Sequence, residues 1–118
     1  MRLDREAYFK RICASLRSNR VRQGVNWSIT YEDLIRCYEQ QDGLCALSGV
    51  LMTTHRDGGG KRDTNASIDR ISPALSYVPN NVQLVCSIVN RMKGTLAEAE
   101  FWFWCENISR TARRKNES

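Results

Sequence analysis

The ten residues "SPALSYVPNN", 72–81, can form neither helix nor strand along their length. Pro73 and Pro79 lack the amide hydrogen that both ladders use, and each drives its predecessor out of the helical region. The segment is therefore an irregular connection, and the chain on either side of it must fold as separate elements. Beyond it, Asn80 or Asn81 is placed to cap a helix. That helix carries Val82, Val85, Cys86, Val89 and Met92 on one stripe, with Gln83, Cys86 and Asn90 along its flank, and stops at Gly94.

Ahead of the connection, "CALSGVLMTTH" and "TNASIDRIS" are short and rich in apolar or β-branched residues, and "RDGGGKRD" between them has the glycines and charges of a surface loop. They read as an antiparallel hairpin. Further upstream the period is helical. Tyr8, Ile12, Cys13 and Leu16 mark an amphipathic helix over about residues 4–22. Thr30 with Asp33 forms a capping-box pattern for a second helix, which bears Tyr31, Leu34, Ile35 and Tyr38 and ends at Gly43. Thr95 with Glu98 repeats that pattern and opens a last helix with Ala97, Phe101, Trp104, Cys105 and Ile108 at core spacing. The fold class expected is α+β, in the order helix, helix, hairpin, helix, helix.

A chain of 118 residues, 42% hydrophobic, is long enough for one modest core and too short for two ordinary domains. It contains no run of about 18 apolar residues and no secretory leader pattern, so a soluble intracellular protein is expected. Its five cysteines include no C-x-x-C pair, which speaks against a disulfide framework and a zinc knuckle. The net charge of +5 is unevenly placed: residues 1–22 hold seven basic and two acidic side chains, and Arg110, Arg113, Arg114 and Lys115 cluster near the other end. Two basic ends point to a polyanion, most simply nucleic acid.

The stretch "NASIDRISPALSYVPNNVQLVCSIVNRMK", preceded by "YEDLIRCYEQQDGLCALSG", resembles the HNH endonucleases, the ββα-metal or His-Me finger family, in its phage-type members. The resemblance covers roughly residues 30–108. It implies a ββα core at 44–94, flanked by N-terminal helices at 1–43 and by a C-terminal helix and basic tail at 95–118, in one domain. It implies a metal-dependent DNA endonuclease located in the cytoplasm of a bacterial host cell, and it suggests a phage origin.

The family pattern is carried by Asp69, Asn81, Asn90 and Lys93, with eleven, eight and two residues between them. Asp69 and Asn90 match the metal ligands; as oxygen donors they favour one Mg²⁺ or Mn²⁺ ion over zinc. Asn81 matches a residue of the catalytic set that ties the irregular loop in place. Lys93, Arg91, Arg17, Arg20 and Arg22 are candidates for backbone phosphate. Arg70 stands where the family has its general-base histidine, and a guanidinium, protonated throughout the neutral range, cannot take that role; it can grip a phosphate oxygen. His55, the only histidine, is the candidate base, with the Tyr77 phenol a weaker one. The places of the family's two C-x-x-C pairs hold Cys45 and Cys86 alone, so no structural zinc is expected.

The run "FWFWC" places Phe103 about 200° round a helix from Phe101, so one contact cannot bury all its aromatics. The N-terminal helix, a partner protein or a second copy of the chain is expected over the remainder. Against catalysis stands Arg70, which favours a base-less scaffold that binds nucleic acid or inhibits a protein.

Overall fold

The structure, a computed structural model, describes residues 2–55 and 62–117; the glycine-rich loop tip read from the sequence falls mostly on 56–61, outside them. Helix α1 (Arg2–Arg22) turns Tyr8, Phe9 and Cys13 into the core, Phe9 with no exposed surface. Helix α2 (Tyr31–Gln40) starts at the expected capping box: the Thr30 hydroxyl accepts the Asp33 N–H, and the Asp33 carboxylate accepts the Thr30 N–H at 2.8 Å. It buries Leu34 against the same core. The chain then reverses at Gly43, whose φ of 73° and whose approach to Tyr38, 3.1 Å from a would-be Cβ to the hydroxyl oxygen, leave room for glycine only.

The sheet departs from the expected pairing. Strands β1 (Ala66–Arg70) and β2 (Val82–Cys86) are antiparallel, with Ala66 opposite Cys86 and Asp69 opposite Gln83. Residues 45–55, expected to be the first hairpin strand, pair among the described residues only through the isolated bridges Leu44–Leu51 and Thr53–Asn65. The hairpin is therefore closed by the proline-bracketed connection itself. The helix expected from Val82 begins five residues later, as α3 (Ser87–Lys93). The run "VQLVC" is buried at every position but Gln83, and a short apolar run fits a buried strand as well as a helical face. Its β-branched valines and the pairing offered by β1 decide for the strand.

Asn81 thus caps no long helix; it ends a 3₁₀ turn (Pro79–Asn81) and closes the connection. Its Oδ1 accepts the Ser72 N–H, and its Nδ2 donates to the carbonyls of Ser72 and Ser76. The side chain is buried, so Asn81→Ala leaves backbone groups unpaired and is expected to destabilise by about 2–3 kcal/mol, read as a lower urea midpoint at unchanged slope.

Both sheet edges are covered by side chains. Along β2, Gln41 accepts the Leu84 N–H and donates to the Leu84 carbonyl, which also receives the Ala46 N–H. Along β1, the alternate carbonyls of Ala66, Ile68 and Arg70 accept from Tyr8 Oη, Asn90 Nδ2 and Lys93 Nζ at 2.6, 3.2 and 2.9 Å. An edge strand bonded in this way has no free carbonyl row for another strand to pair with.

Cys45 and Cys86 meet beneath the sheet, where the Cys86 N–H donates to Cys45 Sγ at 3.2 Å. Burial pushes both thiols up. At Cys45 the Ser48 side chain and three backbone N–H groups outweigh burial and lower the pKa; Cys86, beside it, is pushed up to about 11.

Helix α4 (Glu98–Glu117) starts two residues later than the sequence pattern suggests, because Glu100 Oε1 accepts the Ala97 N–H and Glu98 is engaged elsewhere. Only Phe101 of this helix is buried; Trp104 and Ile108, expected in the core, are 54% and 66% exposed. The radius of gyration, 15.4 Å, exceeds the roughly 13.5 Å of a compact chain this long. No helix among the described residues is long and apolar enough to cross a membrane.

Candidate active site

The register of the sheet puts Asp69 on β1 opposite Gln83 on β2, and α3, which leaves β2 without a loop, lies back across β1. These two facts bring Asp69, Asn90 and Lys93 together. Lys93 is 1% exposed, and its ammonium lies 2.9 and 3.0 Å from the two Asp69 oxygens and 2.9 Å from the Arg70 carbonyl. Its three donors are thus matched. Asp69, 6% exposed, also accepts from Gln83 Nε2 at 3.0 Å, and the same nitrogen reaches Glu98 Oε1 at 3.1 Å. A buried carboxylate is held here by one buried cation and one amide.

Asn90 donates from Nδ2 to Ser67 Oγ at 2.7 Å and to the Ile68 carbonyl. Its Oδ1 receives no hydrogen bond from the described residues. Asp69 and Asn90 line one cleft of about 150 Å³, walled by Arg20, Arg70, Tyr77 and Lys93. Tyr77 is buried, stacked on Trp27 with ring centroids 4.7 Å apart, and its hydroxyl accepts Arg20 Nε–H at 3.1 Å. The Arg70 guanidinium lies 4.8 Å from the centre of the same ring and donates to the Leu75 carbonyl. Tyr77 therefore fixes both arginines, one through its ring and one through its oxygen.

Beside the cleft runs a larger groove of about 560 Å³ between α1, β1 and α3, which shares Arg20, Ile68 and Asn90 with it. Arg11, Arg91 and the exposed His55 line this groove. Arg91 also pairs with Asp63 at 2.9 Å. Tyr8 lies at its floor; burial raises the phenol's pKa, with Arg11 pulling it back, and the hydroxyl serves as a donor to Ala66.

The residues expected at a site divide as follows. Asp69, Asn90, Arg70 and Arg20 share the cleft, while His55 and Arg91 line the groove. His55 does not face Asp69 across the ladder, since Gln83 occupies that position. Lys93, expected to project towards phosphate, is buried in an ion pair. Arg17 and Arg22 lie on the other flank of α1, beside Thr30 and Glu32. Gln83 and Arg11 were not singled out as site residues by the sequence, although a glutamine inside an otherwise apolar run is a polar signal.

A divalent cation is the group the sequence resemblance implies. Among the described residues no three His, Cys, Asp or Glu side chains converge, so a cation would rest on few protein ligands. The donor set fits one: Asp69 Oδ1 accepts a single hydrogen bond and keeps a lone pair, Asn90 Oδ1 is open, and both are hard oxygen donors. With Lys93 already neutralising Asp69, protein binding of the ion is expected to be weak without phosphate oxygens.

No family model and no curated protein matches the sequence. A solved structure does match: that of PacI, described as a rare-cutting HNH restriction endonuclease that perturbs DNA, at a TM-score of 0.57 and 22% identity over 87% of this chain and 78% of the other. The chain has an HNH fold. At that identity the likeness concerns architecture, and the HNH fold accounts for the arrangement seen: a two-stranded hairpin with a helix laid across it, an irregular connection locked by an asparagine, and a cleft where strand end and helix meet.

Proposed function

We propose that this chain is a metal-dependent DNA endonuclease of HNH type. The reading is supported above all by the shared cleft of Asp69 and Asn90, on an HNH fold, opening into an arginine-lined groove. Asp69 and Asn90 would hold one Mg²⁺ or Mn²⁺ ion, which when bound neutralises charge on the phosphate and its leaving oxygen. Arg20 and Arg70, held by Tyr77, would grip a phosphate in the cleft, and a bidentate guanidinium suits that geometry. Arg11 and Arg91 would take flanking phosphates along the groove. Lys93 acts through Asp69, holding its carboxylate in place by bonds to both oxygens. A proton acceptor is left to His55, at the groove, or to hydroxide from solvent, since Arg70 cannot serve.

The second reading is a non-catalytic DNA-binding module on the same scaffold. It is favoured by one observation: the Asp69 carboxylate is already balanced by Lys93, with arginine at the base position.

Both readings require DNA in the groove, which is tested by salt dependence. Removing α1 would remove Tyr8 and Phe9 from the core, so point substitutions are the proper probes. Arg11→Ala, Arg20→Ala and Arg91→Ala should each flatten the slope of log K against log salt by about 0.9, the value for one lost phosphate contact on duplex DNA. Arg17→Ala and Arg22→Ala, on the far flank, should leave it unchanged. Equal effects at both sets would remove the groove from the interface.

A further inference from the structure

Helix α4 carries aromatic side chains that the described residues leave about half exposed. Trp102, Phe103, Trp104 and Ile108 are 44–66% exposed, and Trp104, Asn107, Ile108, Thr111 and Lys115 border a shallow groove of about 420 Å³ along one face. Exposed aromatics in such number mark an interaction surface. The charges on the helix say what kind. Its first half carries Glu98, Glu100 and Glu106, and its last half Arg110, Arg113, Arg114 and Lys115 with the terminal Glu117 as its one acid; Glu106 and Arg110 already pair along the helix at 3.0 Å, which leaves Glu100 and the last turn to set the pairing.

We propose that α4 is a self-association surface, on which the α4 of a second copy packs antiparallel. A nucleic acid laid along the whole face would meet the acidic half beside the tryptophans, whereas a parallel helix pair would set acid on acid and base on base. The antiparallel pair alone matches both halves at once. With the crossing centred between Asn107 and Ile108, Glu100 lies level with Lys115 of the second copy, and Trp104 level with Thr111, a large side chain over a small one. Phe103 then comes beside Arg110 and Arg114 of the second copy, where a guanidinium can rest on its ring. The interface is isologous, as a two-fold pair requires. Two helices of this length give an area at the low end for stable complexes, about 1,200 Å² or less, so association depends on protein concentration.

Sedimentation velocity of the full chain at rising concentration should show the 13.6 kDa monomer giving way to a species of twice that mass. Trp104→Ala and Ile108→Glu, both at exposed positions, should abolish the shift without changing the helical circular dichroism. Lys115→Glu should weaken association severalfold, and adding Glu100→Lys should restore it. A monomer at every concentration, a dimer indifferent to Trp104→Ala and Ile108→Glu, or a charge exchange that fails to restore association at unchanged helical content would each overturn the proposal. So would a chain that stays monomeric while duplex DNA quenches its tryptophan fluorescence and Ile108→Glu abolishes the quenching.

Discussion

Lys93→Ala is expected to be the most damaging single substitution outside the apolar core. The ammonium is almost fully buried and, among the described residues, supplies all the compensation that Asp69 receives apart from one amide of Gln83. Removing one member of a buried pair strands the other charge, which costs about 3–5 kcal/mol, a fall of roughly 12–20 °C in Tm for a chain of this size. The Arg70 carbonyl loses its donor in the same step. Lys93→Met with Asp69→Leu should recover a large part of the loss, because no charge is then left alone in the interior. Thermal melts of the three proteins decide the matter. A Lys93→Ala variant as stable as the parent would mean that the ammonium is solvated in solution.

Asn90→Ala is expected to reduce DNA cleavage by at least about 100-fold, the effect of losing interactions worth several kcal/mol at a reacting phosphate. It removes Oδ1, the open donor of the cleft, together with the bonds to Ser67 and Ile68. The Ile68 carbonyl then lacks its partner, at about 1–3 kcal/mol, so a stability loss accompanies the activity loss. Ser67→Ala separates the two effects. It deletes the strongest anchor of Asn90 yet leaves Oδ1 in place, and activity within a few-fold of the parent is expected, against near silence for Asn90→Ala at a temperature where both are folded. Equal activity of Asn90→Ala and Ser67→Ala would remove Asn90 from the chemistry.

How much of this could be read from residues depended on the range of the interactions concerned. The Thr30–Asp33 box spans one turn and is decided locally, so the start of α2 was legible to the residue. The strand at 82–86 was not, because five apolar-rich residues satisfy both periods and only the pairing with β1, set by a connection of eleven residues, selects one of them. The same ambiguity hid Gln83, whose place on a helix flank said nothing of Asp69 opposite. Asp69, Asn90 and Lys93 could be grouped through the family pattern, yet the burial of Lys93 could not: a lysine at the end of a helix is ordinarily solvated, and its partner lies 24 residues upstream. Trp104 and Ile108 show the converse. Their spacing is that of a core stripe, and a stripe that a second molecule covers has the same spacing as one covered by the chain itself.

The most direct test of the nuclease reading is nicking of supercoiled plasmid by the purified chain with Mg²⁺ or Mn²⁺, beside an EDTA control and the Asn90→Ala variant. Open-circular DNA that accumulates only with metal, and not with Asn90→Ala, is the result expected of an HNH nuclease working through the Asp69–Asn90 cleft. Plasmid that stays supercoiled under conditions where the protein binds it in a salt-sensitive manner would contradict that reading and leave a DNA-binding module whose aspartate is held permanently by Lys93.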